Sequence, residues 1–151
     1  MSMYSQSLLA LKQRIKECDD HRQRRKLRHK RQLYLMQRGC CYCCKERVFA
    51  DISIRTRKGL IATIEHIECY YVNKNDKIEN KVVTCYNCNQ HRGTIPLEQF
   101  IVLLVAKQWD EIRKLHRIFQ KEIRDIYDER LARRQAEADR ALVASTENHA
   151  V

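Results

Sequence analysis

Two tight cysteine clusters carry the most legible chemistry in this sequence. The first, "GCCYCCKER", holds Cys40, Cys41, Cys43 and Cys44; the second, "TCYNCNQHRG", holds Cys85 and Cys88. In a reducing cytosol such spacing points to metal rather than to disulfides. Two C-x-x-C knuckles supply four thiolates, enough to close a tetrahedral structural zinc site. The first cluster offers two overlapping pairs, Cys40 with Cys43 and Cys41 with Cys44, whereas the second offers one. Cys18 and Cys69 stand apart and read as ordinary small apolar residues. The halves of a simple zinc ribbon lie about 15 to 20 residues apart. These knuckles are much further apart, so another unit is inserted between them.

The insert reads "TIEHIECYYVNKNDKIENKVV" and contains Glu65, His66 and Asn80, with Asn89 just past the last cysteine. Taken singly, each residue has a plain reading: a structural histidine at a strand end, a solvated carboxylate, a turn asparagine. Their joint order is more specific. C-x-Y-C at Cys40 to Cys43, the pair Glu65-His66, Asn80 fourteen residues after that histidine and C-x-x-C-N at Cys85 to Asn89 together resemble the HNH endonucleases with a zinc-bound ββα-metal core. The similarity continues into "HRGTIPLEQF", which looks like the R-G-x-x-P stretch that leads into a terminal helix in such proteins, and it covers about residues 38 to 100.

The resemblance implies a site. Matching the family's tyrosine to Tyr42 selects Cys40 and Cys43, with Cys85 and Cys88, as ligands of structural zinc. His66 takes the place of the general base, and its unperturbed pKa near 6.5 leaves imidazole largely neutral at pH 7. Glu65 stands where the family usually has Asp or His as a metal ligand, and Asn89 resembles the second ligand. Oxygen donors of this kind suit Mg2+ or Mn2+, which would polarise the scissile phosphate. Asn80 is the middle asparagine, expected to hold the histidine-bearing loop through backbone hydrogen bonds. His91 and Arg92 are further candidates for metal or phosphate contacts. Two departures stand out: Glu65 is one methylene longer than the commoner Asp, and the family's usual glycine turn is replaced by "NKND", with Cys69 near the place of a frequent proline.

The elements that must position these residues follow from pattern and composition. The chain has 151 residues, only 3 Gly and 1 Pro, and 32% charged side chains, which predicts a helix-rich single domain with extensions. Residues 1–38 form a basic helical arm: Leu8, Leu11, Ile15 and Cys18 recur at helical spacing, followed by "HRQRRKLRHKRQ". This stretch carries eleven Lys or Arg against three acids, most of the excess charge of the chain. Residues 39–95 are the compact core, with β-like pieces around "DISIRTRKGLIATI" and a turn near Lys58-Gly59. Pro96 opens a C-terminal helical segment, 96–136, whose stripe Ile101, Val105, Trp109, Ile112, Leu115, Phe119, Ile123 and Ile126 defines one face. Residues 137–151 read as a disordered tail.

The net charge of +11 favours a polyanionic partner, because each neutralised phosphate releases condensed counterions. DNA is the expected partner, met through its phosphates by Arg22, Arg24, Arg25, Lys26, Arg28, Lys30, Arg31 and Arg92. The longest apolar run, "FIVLLVA", is far too short to span a bilayer, and the N-terminus lacks a secretory pattern. A soluble, cytoplasmic protein without a membrane partner is therefore expected. The fold class is α+β: a ββα-metal core around one structural zinc, flanked by a basic N-terminal helix and a long C-terminal helical segment. The expected function is metal-dependent endonuclease cleavage of DNA, as in small phage-like or mobile-element HNH proteins. The rival expectations are a noncatalytic zinc-stabilised nucleic-acid-binding module and a partner protein of a nucleoprotein complex. The C-terminal stripe would serve the latter, or a homodimer, if its apolar surface were exposed.

Overall fold

The computed structural model describes residues 2–51 and 58–147. The basic arm is two helices, not one: α1 (Met3–Glu17) and α2 (His21–Met36). Asp19 and Asp20 explain the break. The Asp20 carboxylate caps α2 by accepting the Gln23 backbone N–H at 2.5 Å, as short acceptor side chains do at helix starts. Ser2 caps α1 in the same way. The two helices pack on each other, with Leu11 and Leu27 buried in the common core.

After α2 the chain turns sharply through Arg38 and Gly39, both at positive φ. Gly39 is required here, since a Cβ would lie 2.9 Å from the Tyr34 hydroxyl oxygen. That hydroxyl donates to Val48 O across the buried turn. Cys40 then bridges to Arg47 and Phe49 to Ile61, framing the first cysteine cluster as a hairpin-like knuckle.

A two-stranded antiparallel sheet lies at the centre. Strand β1 (Ala62–His66) pairs with β2 (Lys81–Cys85), in a register that sets Ala62 opposite Cys85 and His66 opposite Lys81. The pair therefore joins residues on either side of a long loop, 67–80, containing the short helix α3 (Tyr70–Asn73). This differs from the expected hairpin across Lys58-Gly59. There a 3-10 turn, Lys58–Leu60, leads into β1, and residues 52–57 of the expected first strand lie outside the described residues. Helix α4 (Tyr86–Arg92) follows β2 directly, so the order is strand, loop, strand, helix.

Alternation along β1 sorts its side chains. Thr63 and Glu65 face α4, where they bond Asn89 and Arg92. His66 points to the other side of the sheet, where α2 packs.

Pro96 stands at the N-cap position of α5 (Leu97–Val105), without a capping side-chain hydrogen bond, and α6 (Trp109–Glu147) follows. The break between them falls at Ala106–Gln108, where Lys107 takes φ 55. Ile112 is buried and Ile101, Leu115 and Phe119 pack against the core, whereas Trp109 is 39% exposed, so about half of the stripe is interior surface. Val105, at the break, is 74% exposed and departs from it. Helix α6 continues through Glu147, past the boundary at 136 where a disordered tail was expected. The segment "LARRQAEADRAL" is exposed along its described side chains yet rich in Ala, Arg, Glu and Leu, the strongest helix formers. The chain is thus α+β, a small sheet among six helices of the described residues. None of these helices is long and apolar enough to cross a membrane.

Candidate functional site

The cysteines that converge are Cys41, Cys44, Cys85 and Cys88, with all four Sγ atoms within 4.8 Å of one another. This corrects the selection of Cys40 and Cys43. Cys40 lies on the entry leg of the knuckle, bridged to Arg47, with its Sγ 3.7 Å from Arg38 O. The turn itself begins one residue later: Cys41 N donates to Glu46 O at 2.8 Å and Lys45 N to Cys41 O at 3.1 Å. Lys45 closes it at φ 62. Cys43 is buried beside Cys41 and Cys88 but is not one of the four mutually close thiols.

The donor set fits zinc. A tetrahedral ion with bonds of about 2.3 Å sets its sulfurs about 3.8 Å apart, and Cys44 Sγ lies 3.9 Å from Cys85 Sγ. Backbone N–H groups point at the sulfurs, Cys85 N at Cys41 Sγ (3.2 Å) and Cys88 N at Cys85 Sγ (3.3 Å), which favours thiolates. Without a cation the crowd cannot ionise together. Hydrogen bonds from Cys43, Cys85 and Cys88 hold the Cys41 thiol far below its ordinary value. The same sharing pushes Cys85 and Cys88 up and Cys43 to about 12, and burial raises Cys44. A divalent ion bound by the four would supply the charge that lets them all deprotonate. The four cysteines are thus placed to hold a metal ion such as zinc, tying the knuckle to β2 and α4.

Beyond this cluster, Asn80 is buried and anchors loop 67–80 from inside. Its Oδ1 accepts from Glu68 N at 2.8 Å, while its Nδ2 donates to Glu68 O at 3.1 Å and to Asn75 O at 2.9 Å. Ile67 N also donates to the Asn80 carbonyl. Both ends of the loop are therefore fixed next to His66.

Glu65 and Arg92 form an ion pair at 2.6 Å with side chains only 14% and 2% exposed. The expectation that Arg92 meets a phosphate is overturned. Its guanidinium is spent inside the protein, donating to Glu65 Oε1 and to the carbonyls of His66, Ile67 and Ile95. Burial raises the Glu65 pKa, against the lowering effect of Arg92. Asn89 donates through Nδ2 to Thr63 Oγ1 at 3.1 Å, which leaves its amide oxygen as the atom able to meet a cation. His91 is exposed and packs edge-on against Trp109.

On the opposite side of β1, His66 Nε2 lies 3.3 Å from Asp76 Oδ1, and Tyr70 packs against the imidazole with ring centroids 5.4 Å apart. Asp76 also receives the buried Lys81 Nζ at 2.7 Å and Arg25 at 3.6 Å. The hydrogen bond from Lys81, and after it that of His66, holds its carboxyl below the usual range against the effect of burial. His29 of α2 joins the cluster, its pKa lowered by burial and then by Lys81 and Arg25. Asp76, Lys81 and His29 were not singled out from sequence. "NKND" offered only a turn signal, and nothing local says that its aspartate reaches back to His66.

The remaining cations of α2 divide by exposure. Arg22, Lys26 and Arg28 are exposed. Arg24 bonds Cys18 O, Arg25 is exposed but paired with Asp76, and Arg31 is half-buried, with its Nε out of solvent. Lys30 is half-buried, and burial pulls its pKa down to about 8, against the influence of Asp51. No family model, curated protein or solved structure matches the chain.

Proposed function

We propose that the chain is a metal-dependent endonuclease of HNH type that hydrolyses phosphodiester bonds of DNA, with His66 as general base. The observation that carries this reading is the placement of His66. It ends β1 in a strand, loop, strand, helix unit, partly exposed, held by Asp76 and by a loop that Asn80 pins at both ends. A base held in one orientation while still reachable by solvent is what water activation needs. The knuckle metal would fix the far end of the same sheet, since Cys85 closes β2 and caps α4.

Glu65 and Asn89, both turned toward the β1–α4 interface, are the oxygen donors available to Mg2+ or Mn2+. Their chemistry suits a hard cation that keeps several waters, although the Arg92 guanidinium on Glu65 Oε1 sets a positive charge beside them. Bound there, the cation would stabilise negative charge on the departing oxygen. Arg22, Lys26 and Arg28 of α2 supply exposed positive charge for the DNA backbone.

The Arg92–Glu65 pair, together with the placement of Glu65 and Asn89 on the face of β1 opposite the His66 imidazole, favours a second reading, a noncatalytic zinc-stabilised nucleic-acid-binding module in which Glu65 is a structural partner. Incubating the protein with supercoiled plasmid and Mg2+ or Mn2+ separates the two. The nuclease reading expects nicked or linear product that EDTA and His66→Ala abolish. Retarded but uncut plasmid with every divalent metal tried would establish the binding module instead.

A further inference from the structure

The histidine and aspartate on the α2 side of β1 have a chemical consequence that the spacing of the motif does not contain. An ionised carboxylate can only accept hydrogen bonds. Asp76 is bound to stay ionised, because Lys81 Nζ lies 2.7 Å from its Oδ1 and Arg25 lies 3.6 Å from its Oδ2. Lys81 also donates to the Asp76 carbonyl at 2.7 Å with its own side chain only 4% exposed. The aspartate is therefore held at both backbone and side chain by one buried ammonium. The imidazole nitrogen facing it, Nε2 at 3.3 Å, must then carry the proton. Tyr70 lies against the ring face and restricts its rotation. Among the described residues no hydrogen bond reaches Nδ1.

We infer that Asp76 is a positioning residue that fixes neutral His66 as its Nε2–H tautomer, leaving Nδ1 as the nitrogen that accepts a proton. The tautomer follows from the geometry alone; what Nδ1 then does rests on the nuclease reading above. In that reaction Nδ1 takes a proton from the attacking water. The hydroxide electron pair forms the new P–O bond, and the leaving oxygen departs with the pair of the bond that breaks and is protonated by solvent. Asp76 keeps its charge throughout and stabilises the imidazolium, the role a carboxylate plays beside a catalytic histidine.

Nitrogen-detected NMR of 15N-histidine protein, with the His66 signals assigned by their loss in His66→Gln, reads the tautomer directly at a pH of about 8, above the ordinary imidazole range. The expected result is a protonated Nε2 and a bare Nδ1 in the wild type. Asp76→Asn, whose amide can donate to Nε2, should remove that preference, and Lys81→Met should weaken it, with bound zinc retained in each as the check on folding. Single-turnover cleavage by Asp76→Asn should fall on the order of 10^2-fold or more with DNA affinity unchanged. A wild-type His66 protonated on Nδ1 overturns the inference, as does an unchanged tautomer and cleavage rate in Asp76→Asn. A wild type with the expected tautomer that cuts no DNA leaves the positioning role intact and removes the nuclease reading.

Discussion

At the scale of single residues, Arg92 is the group whose loss the structure penalises most. It joins Glu65, the carbonyls that follow β1 and the turn before α5, and all of this lies out of solvent. Arg92→Leu would leave Glu65 buried without its partner and three carbonyls without a donor, so unfolding in urea should show a loss of about 3 to 5 kcal/mol. A surface arginine reaching for phosphate would lose less than about 0.5 kcal/mol, and that outcome would contradict the buried pairing. Glycine at 93 is equally local in its reason: at φ 54, a Cβ there would lie 2.3 Å from the His116 ring, so the helix-ending turn and the packing of α6 both need its absence.

At the scale of elements, the knuckle decides which cysteines bind metal. Elemental analysis should find one zinc per chain in the wild type. Cys40→Ser should keep it, because Cys40 lies on the entry leg, whereas Cys41→Ser and Cys44→Ser should lose most of it and unfold with chelator. Retention by Cys41→Ser together with loss in Cys40→Ser would show that the knuckle begins one residue earlier. The metal chemistry itself was legible in the sequence, since two C-x-x-C pairs announce four thiolates. The phase of the first pair was not, because "CCYCC" fits two registers and only the turn at Cys41 to Lys45 separates them. The two-helix arm was hidden for a similar reason. Apolar spacing continues across the break, and the capping by Asp20 that creates it is a single hydrogen bond. Asn80 was legible as a loop anchor through the family resemblance, but Asp76 was not. Its contact with His66 joins residues brought together only when β1 and β2 pair around loop 67–80.

At the scale of the whole molecule, charge and shape divide the labour. The excess positive charge is concentrated in the first 38 residues, but the structure withdraws part of it: Lys30 into partial burial and Arg24 onto the Cys18 carbonyl, while the exposed Arg25 is paired with Asp76. Arg22, Lys26 and Arg28 remain exposed on α2. Replacing these three with Gln should therefore lower the slope of log affinity for DNA against log salt by about 3, close to one unit per phosphate contact. An unchanged slope would place the DNA elsewhere on the surface. The C-terminal stripe is spent in part on packing through Ile101, Ile112, Leu115 and Phe119, while Val105 and Trp109 stay exposed, so the core accounts for about half of its periodicity. In the proposed function these parts serve a hydrolytic site at the end of β1. The most direct measurement is the rate at which wild-type protein and His66→Ala cleave the same DNA in Mg2+ or Mn2+ under single-turnover conditions. Loss of the base should slow cleavage about 10^2- to 10^4-fold with binding retained. Equal rates for the two proteins, or no cleavage by the wild type with either metal, would contradict the account.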